Sequence, residues 1–159
     1  KKNKIENSEG VKVFDWPGEY EVGGVHILAI KAWTKSKTKE EDEGAKGDGT
    51  LMFCVNMGGV KICHLGELGH ALSSDMIKEI GDVDVLLIDG CKDGNLGVKK
   101  ADEIIEAIDP KVVIPMGEGN FSEFLKEIGA EAIMPTEKFV VTAESLPVDK
   151  MDHVILQKN

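Results

Sequence analysis

Apolar and polar residues alternate in short runs through the first part of the chain. These runs lie at 11–15, 19–22, 25–30, 51–57 and 60–63. Alternation with a period of two residues is typical of strands that bury one face. The pairs Gly23-Gly24 and Gly58-Gly59 separate neighbouring runs, and a two-residue glycine turn is typical of a tight hairpin. The first part of the chain therefore predicts antiparallel hairpins.

The pattern changes in the second part, where helical periodicity alternates with continuous apolar runs. Helices are predicted at 74–80, 98–108 and 121–128, and buried strands at 84–88 and 111–115. Ser73 or Ser74 can cap the first helix. Further strands are predicted at 131–134, 138–142 and 154–156. Strands that alternate with helices pair in parallel, so antiparallel hairpins followed by a βαβαβ unit, of class α/β (α+β), are predicted.

One domain is predicted over residues 11–159, after a polar lead-in at residues 1–10. Within this domain, residues 35–49 are charged and contain glycine but no apolar anchor, so we expect an exposed loop there. A chain of 159 residues can bury about two thirds of the surface that its unfolded form exposes. The first residue is not methionine, which is consistent with a fragment of a longer protein.

Composition indicates an acidic, cytoplasmic protein. The net charge is −10 and all 19 basic residues are lysine. The sequence therefore has no arginine, whose guanidinium group binds phosphates and guanine edges through paired hydrogen bonds. Nucleic acid is not an expected partner. No apolar run approaches the ~20 residues of a membrane span, so no membrane partner is expected. Cys54, Cys63 and Cys91 are odd in number, and we expect buried free thiols in a reducing compartment.

The stretch HLGELGH at 64–70 holds two histidines and a carboxylate, His64, Glu67 and His70, at three-residue intervals. It follows a predicted strand, which is where α/β proteins carry functional groups. Imidazole and carboxylate are good ligands for zinc, iron and manganese ions. A catalytic zinc needs three protein ligands around one point, however, and a seven-residue loop rarely supplies all three. The stretch is therefore either a metal-binding loop or a structural turn with polar tips.

Two further glycine-containing loops follow buried strands. The loop at 89–97 contains Asp89, Asp93 and Cys91, and the glycines at 117–119 precede a predicted helix. Such loops can bind an anion or a small ligand, although turn chemistry explains them equally simply. The remaining histidines at 26 and 153 are isolated, and we interpret both as ordinary surface or edge residues.

Four stretches of the sequence have an order and a spacing that match those of a known family. They are PGEYEV at 17–22, HLGELGH at 64–70, VDVLLI at 83–88 and PKVVIPM at 110–116. Over residues 11–128 they resemble the later portion of the metallo-β-lactamase superfamily, and most of all the small bacterial proteins described as predicted zinc-dependent hydrolases. The resemblance implies a metallo-β-lactamase-like αβ/βα sandwich, or half of one. It also implies a centre of one or two metal ions between the sheets.

By this resemblance, most positions that hold metal ligands in the superfamily are occupied by other residues in this sequence. Its first half carries a His-x-His-x-Asp-His loop, which does not occur in this sequence. In the later portion, Thr34 and Gly117 stand where ligand histidines are expected, and Glu67 stands for a bridging aspartate. His64 and His70 are the remaining candidate ligands in this region. We therefore expect the metal site to be degenerate.

Two functions follow from this comparison of residues. The first is a non-catalytic structural or binding module without a resident cofactor, which associates with itself or with another chain that covers an exposed sheet. A homo-oligomer or a protein partner is then expected. The second is a zinc-dependent hydrolase in which Glu67, His64 or His70, and Asp89 as a further candidate join ligands from outside this chain.

Overall fold

Seven strands form one mixed sheet, and their order across the sheet is their order along the chain. The computed structural model describes residues 10–35, 47–91, 94–117 and 121–157. The strands are β1 (Gly18–Val22), β2 (Val25–Trp33), β3 (Gly49–Met57), β4 (Val60–His64), β5 (Val85–Asp89), β6 (Val112–Met116) and β7 (Asp152–His153). The predicted fold class, hairpins followed by a parallel βαβαβ unit, is confirmed.

The first four strands are antiparallel and two of their connections are glycine turns. Gly23 and Gly24 have φ of 59° and 81°, and Gly58 and Gly59 have φ of 61° and 77°. Positive φ at both central positions is what a tight hairpin turn requires, and glycine adopts it without steric cost. Both predicted hairpins are therefore confirmed, together with the sequence signal that predicted them.

The pairs β4–β5, β5–β6 and β6–β7 are parallel, and a helix lies in each connection. These helices are α1 (Ser74–Ile80), α2 (Val98–Ile108) and α3 (Ser122–Glu127). The Ser73 side chain accepts a hydrogen bond from the backbone N–H of Met76, which is the predicted cap of α1. In α2 the buried residues follow helical spacing and are Ala101, Ile104, Ile105 and Ile108. Periodicity and capping thus predicted these helices correctly.

The main hydrophobic core lies between the sheet and its helices. It contains, among others, Met52, Cys54, Cys63, Leu86 and Ile88 from the strands and Ile80, Ile104 and Phe124 from the helices. A smaller cluster lies on the opposite face of β4, β5 and β6. There Val60, Val85, Val112 and Ile114 pack with Leu146, Phe139 and Val141 of the C-terminal segment.

The second face of the sheet is more open over the antiparallel strands. The strand register places Ile27 beside Val55 and Val55 beside Ile62, so these side chains share that face. Ile27, Phe53 and Val55 are half-buried, and they belong to neither hydrophobic cluster. We call these three residues the open patch. A sheet with helices on one face and this patch on the other corresponds to half of the expected sandwich.

Three predicted strands are wrong. Residues 11–15, 131–134 and 138–142 form no strand, although all of them lie in the described part of the chain. The segment at 138–142 still buries Phe139 and Val141 against the sheet, so its alternation reflects packing without strand pairing. The strand predicted at 154–156 lies instead at Asp152–His153, with an isolated bridge between Thr136 and Leu156.

Several expectations concern residues that the structure describes only in part. The lead-in residues 1–9 and the loop residues 36–46 lie outside the described ranges. β3 begins at Gly49, which was predicted to be the last residue of the loop. β2 continues to Trp33, three residues beyond its predicted end. None of the helices in the described residues has the length and apolar character needed to cross a membrane.

Candidate functional site

The candidate residues meet at one edge of the sheet. β4, β5 and β6 are parallel, and β2 runs in the same direction as β4 because the antiparallel β3 lies between them. The carboxyl ends of these four strands therefore lie along the same edge. Thr34 follows β2, residues 64–70 follow or end β4, Asp89 ends β5, and Gly117 follows β6. The candidate positions named from the sequence thus lie along one edge of the sheet.

His70 is held by the backbone on both sides of its ring. Its Nε2 accepts a hydrogen bond from the backbone N–H of Trp33 over 3.3 Å. Because Nε2 is the acceptor, Nδ1 carries the proton, and it donates to the carbonyl of Ala71 over 2.7 Å. A metal ligand needs a ring nitrogen with a free lone pair. His70 therefore joins the loop to the end of β2 and offers no nitrogen to a metal.

Two glycines let the 64–70 loop pack against neighbouring backbone. Gly69 donates its N–H to the carbonyl of Trp33 over 2.9 Å, and a Cβ at this position would collide with the backbone of Lys35. Gly66 has φ of 60°, and a Cβ there would lie 2.6 Å from the carbonyl oxygen of Leu51. The glycines thus serve close contacts with β2 and β3, as a structural turn requires.

His64 retains one ring nitrogen for a possible ligand. Its Nδ1 accepts a hydrogen bond from the backbone N–H of Gly66 over 2.9 Å, so only Nε2 could bind a metal. The side chain reaches solvent, but partial burial of the ring lowers the pKa of His64 below its ordinary value. A neutral imidazole is the form that both the hydrogen bond and a metal would need.

Glu67 projects outward from this loop. Leu65 and Leu68 beside it are each 1% exposed and anchor the loop in the main core, whereas Glu67 is exposed. The carboxylate is therefore available to solvent ions, but a single exposed carboxylate binds a divalent ion weakly because the ion keeps most of its water.

Asp89 organises the loop that follows β5. Its Oδ1 accepts a hydrogen bond from the backbone N–H of Cys91 over 3.0 Å, and its Oδ2 accepts one from Asn95 over 2.8 Å. A Cβ on Gly94 would collide with this carboxylate. The amides of Cys91 and Asn95 are thus engaged by the chain's own carboxylate, and the amide of Gly94 donates to the carbonyl of Cys91, which argues against the anion site considered in the 89–97 loop. The other members of that proposal, residues 118 and 119, and Asp93 lie outside the described residues.

Gly117 leaves no room for a side chain at the end of β6. Its φ is 121°, and a Cβ there would lie 2.5 Å from the Cys91 sulfur and 3.5 Å from Asp89 Oδ1. A histidine at this position, as the resemblance implies for a metal centre, would require Cys91 to move. Within the described ranges, no three His, Cys, Asp or Glu side chains come together as a metal site would need. The described residues of this edge thus do not supply the three converging protein ligands that a catalytic zinc needs.

A family model describes most of this chain. The model of the β-lactamase superfamily domain matches residues 2–117. The chain belongs to the β-lactamase superfamily. This finding confirms the resemblance that the strand-end motifs indicated.

Curated relatives of this β-lactamase superfamily chain are named UPF0173 metal-dependent hydrolases. One from Methanopyrus kandleri is 28% identical over 127 residues, which are 76% of this chain and 55% of the relative. Another from Pyrococcus abyssi is 30% identical over 124 residues, which are 72% of this chain and 53% of the relative. The chain thus spans about half the length of the curated relatives it matches.

Solved structures of the superfamily have the same fold. A protein from Thermotoga maritima, described as a candidate Zn-dependent hydrolase of the metallo-β-lactamase superfamily, is 28% identical with a TM-score of 0.69. The match covers 92% of this chain and 73% of that protein. The metallo-β-lactamase fold protein YhfI from Bacillus subtilis is 10% identical with a TM-score of 0.52, over 89% of this chain and 50% of that one, so it supports the fold alone.

No sequence pattern identified the partners of His70, whereas turn chemistry was one interpretation of the loop that Asp89 organises. The backbone partner of His70 is Trp33, 37 residues earlier in the chain, and no local pattern indicates such a contact. The contact between Asp89 and Cys91 had a local signal, because an aspartate followed by glycine readily bonds the backbone two residues on.

Proposed function

We propose that this β-lactamase superfamily domain is a non-catalytic structural or binding module with a degenerate metal site. The observation that carries the proposal is the pair of backbone hydrogen bonds at His70, which engages both ring nitrogens. Through these two bonds, His70 acts as a structural residue of the turn at 64–70. The module keeps the strand-end geometry of its superfamily without its set of donors.

The remaining donors are too few for a catalytic zinc. His64 offers Nε2 and Glu67 offers a carboxylate, whereas a catalytic zinc is held by three protein ligands. Thr34 and Gly117 replace the two histidines that the superfamily resemblance implies, and the space beside Gly117 is filled by Cys91. We infer that the chain by itself binds zinc weakly and needs no metal to fold.

The names of the relatives favour a second function, that of a metal-dependent hydrolase. For this chain such an activity would need ligands from outside it, together with His64, Glu67 or Asp89. The chain spans about half the length of those relatives. In this alternative, the missing ligands would come from another segment or another polypeptide.

The open patch supports association as the module's mode of action. Ile27, Phe53 and Val55 present adjacent half-buried apolar side chains on one sheet face, and apolar surface that stays partly accessible to solvent can mark an interaction site. We propose that another polypeptide covers this face, and a second copy of the chain is the first candidate to test.

A zinc competition titration tests the degenerate site. The purified chain competes with a chromophoric chelator for zinc, and the matched variants are Glu67→Gln and Glu106→Gln, which each remove one exposed carboxylate. We expect all three proteins to take up far less than one ion per chain with similar weak affinity. Uptake near one ion per chain that Glu67→Gln abolishes and Glu106→Gln preserves would support the hydrolase instead.

A further inference from the structure

Two cysteines lie directly opposite each other at the centre of the sheet. Cys54 of β3 pairs with Cys63 of β4, and their sulfur atoms are 2.9 Å apart. Both residues are free thiols, and they are 3% and 0% exposed. The third thiol, Cys91, lies beyond β5 near Gly117. Cys63 precedes His64 of the candidate site, but both thiol side chains belong to the main core, and the proposed function does not use them.

Backbone hydrogen bonds define the kind of pair that these cysteines form. Lys61 donates its N–H to Asp84 Oδ2 and accepts from the N–H of Asp84, so its backbone groups point toward β5. The backbone N–H and C=O groups of a strand point to the same side at every second residue. Those of Cys63 therefore also point toward β5 and away from β3, so Cys63 and Cys54 form a non-hydrogen-bonded pair. Such pairs have Cα atoms ~4.5 Å apart, which lies within the ~4.4–6.8 Å of disulfides.

We propose that Cys54 and Cys63 are a reversible oxidation site at which a small hydroperoxide produces a cross-strand disulfide. The two sulfurs need to move only about 0.9 Å closer to reach the ~2.0 Å of a disulfide bond. The antiparallel register already holds both Cβ atoms on the same face of the sheet. Formation of the bond therefore requires no change of strand pairing.

The electrons come from the two thiols and reduce the peroxide. In the first step one of the two sulfurs attacks one peroxide oxygen, the O–O bond breaks, and a sulfenic acid and one water form from hydrogen peroxide. In the second step the partner sulfur attacks the oxidised sulfur, the S–O bond breaks, and the hydroxyl leaves as a second water with the proton of the partner thiol. Two electrons and two protons have then left the pair.

The geometry gives the two thiols equivalent positions. Each sulfur lies 2.9 Å from the other, so whichever sulfur is oxidised to the sulfenic acid has its partner within reach to resolve it. Both residues are buried, so the oxidant named in the proposal is a small peroxide.

Peptide mapping of the oxidised native chain tests the proposal. The reduced protein is treated with hydrogen peroxide, its remaining thiols are alkylated in denaturant, and trypsin is added. Cleavage after lysine places Cys54, Cys63 and Cys91 on three different peptides, 47–61, 62–78 and 79–92. We expect peptides 47–61 and 62–78 to be joined, with a mass two hydrogens below their sum, and dithiothreitol to separate them again.

Alanine variants provide the controls. Cys91→Ala should form the same cross-link, whereas Cys63→Ala should lose it and accumulate a Cys54 sulfenic acid that dimedone traps. Dimedone labelling of Cys54 or Cys63 in the wild-type protein at an early time, followed by the cross-link at a later time, would support the sulfenic acid route. Alkylation of both Cys54 and Cys63 after peroxide treatment, or a cross-link that involves Cys91 or a second chain, would overturn the proposal.

Discussion

At the scale of single residues, His70 shows how backbone groups can engage both ring nitrogens of a histidine. In its neutral form the imidazole offers one donor and one acceptor on opposite sides of a rigid ring. The backbone N–H of Trp33 and the carbonyl of Ala71 use these two groups. Few side chains of similar size can satisfy both partners at once, so the ring is explained by the backbone that it connects.

Replacement of His70 by phenylalanine should destabilise the fold. His70→Phe keeps an aromatic ring but removes the acceptor of the part-buried hydrogen bond from Trp33 N–H and the donor to the exposed carbonyl of Ala71, at a cost of about 1–3 kcal/mol. Urea unfolding followed by circular dichroism measures this loss. Glu67→Gln serves as the control and should change stability by less than about 0.5 kcal/mol, because its carboxylate is exposed. Equal stability of His70→Phe and wild type would contradict the role of His70.

His64 should titrate below the ordinary histidine value of 6.5, because partial burial lowers the pKa of its ring in the folded chain. Protonation places a hydrogen on Nδ1, which can then no longer accept from Gly66. The unfolded chain binds this proton more readily, so stability should rise with pH through the range just below 6.5 and fall as the solution is acidified. Proton NMR of the His64 ring measures the pKa, and a midpoint at or above 6.5 disagrees with this structure.

At the scale of elements, Asp84 connects three strands before β5 begins. Its backbone N–H donates to the carbonyl of Lys61 in β4, and its carbonyl accepts from the N–H of Val112 in β6. Its side chain accepts from the backbone N–H of Lys61 over 2.8 Å and from Lys111 Nζ over 2.7 Å. This residue therefore secures the parallel strands at the edge opposite the candidate site.

Asp84→Asn should weaken the fold in a pH-dependent way. Burial alone would raise the pKa of the Asp84 carboxyl, but the hydrogen bonds from Lys111 and Lys61 lower it below its ordinary value of 3.8. The stabilisation is therefore complete above that value and disappears as pH falls through the lower folded pKa. Urea unfolding at neutral pH should show a loss of about 1–3 kcal/mol for the variant. The difference from wild type should shrink in acid, and a constant difference would contradict this role.

The elements that the sequence predicted well are those whose determinants are local. The spacing of Ala101, Ile104, Ile105 and Ile108 defines α2, and two glycine pairs define the hairpins. The false strand at 138–142 alternates correctly, because Phe139 and Val141 do pack on the sheet. A strand also needs a neighbour with which to exchange hydrogen bonds, and this condition depends on the whole fold.

At the scale of the whole molecule, the position of the candidate site was predictable and its contents were not. Parallel strands bring Thr34, Asp89 and Gly117 to one edge, and the order of elements alone indicates this. The contact between His70 and Trp33 depends on tertiary packing across 37 residues. The close approach of Cys91 to Gly117 likewise joins two loops that are remote in sequence.

The open patch gives a prediction about association. If a second copy covers it, sedimentation velocity should detect self-association at micromolar concentration, and Val55→Lys should weaken it by placing a charge on the apolar face. Asn56→Lys is the matched control, because Asn56 is exposed on the same strand but faces the opposite side of the sheet. A stable monomer at these concentrations would contradict self-association, and equal weakening by both variants would contradict the assignment to this face.

Anomalous X-ray scattering from crystals of the chain grown with zinc tests the degenerate site most directly. The account predicts no fully occupied zinc peak within bonding distance of His64 and Glu67, because His70 is engaged by the backbone and two ligand positions hold Thr34 and Gly117. A fully occupied peak beside Glu67, bound solely by groups of this one chain, would contradict it.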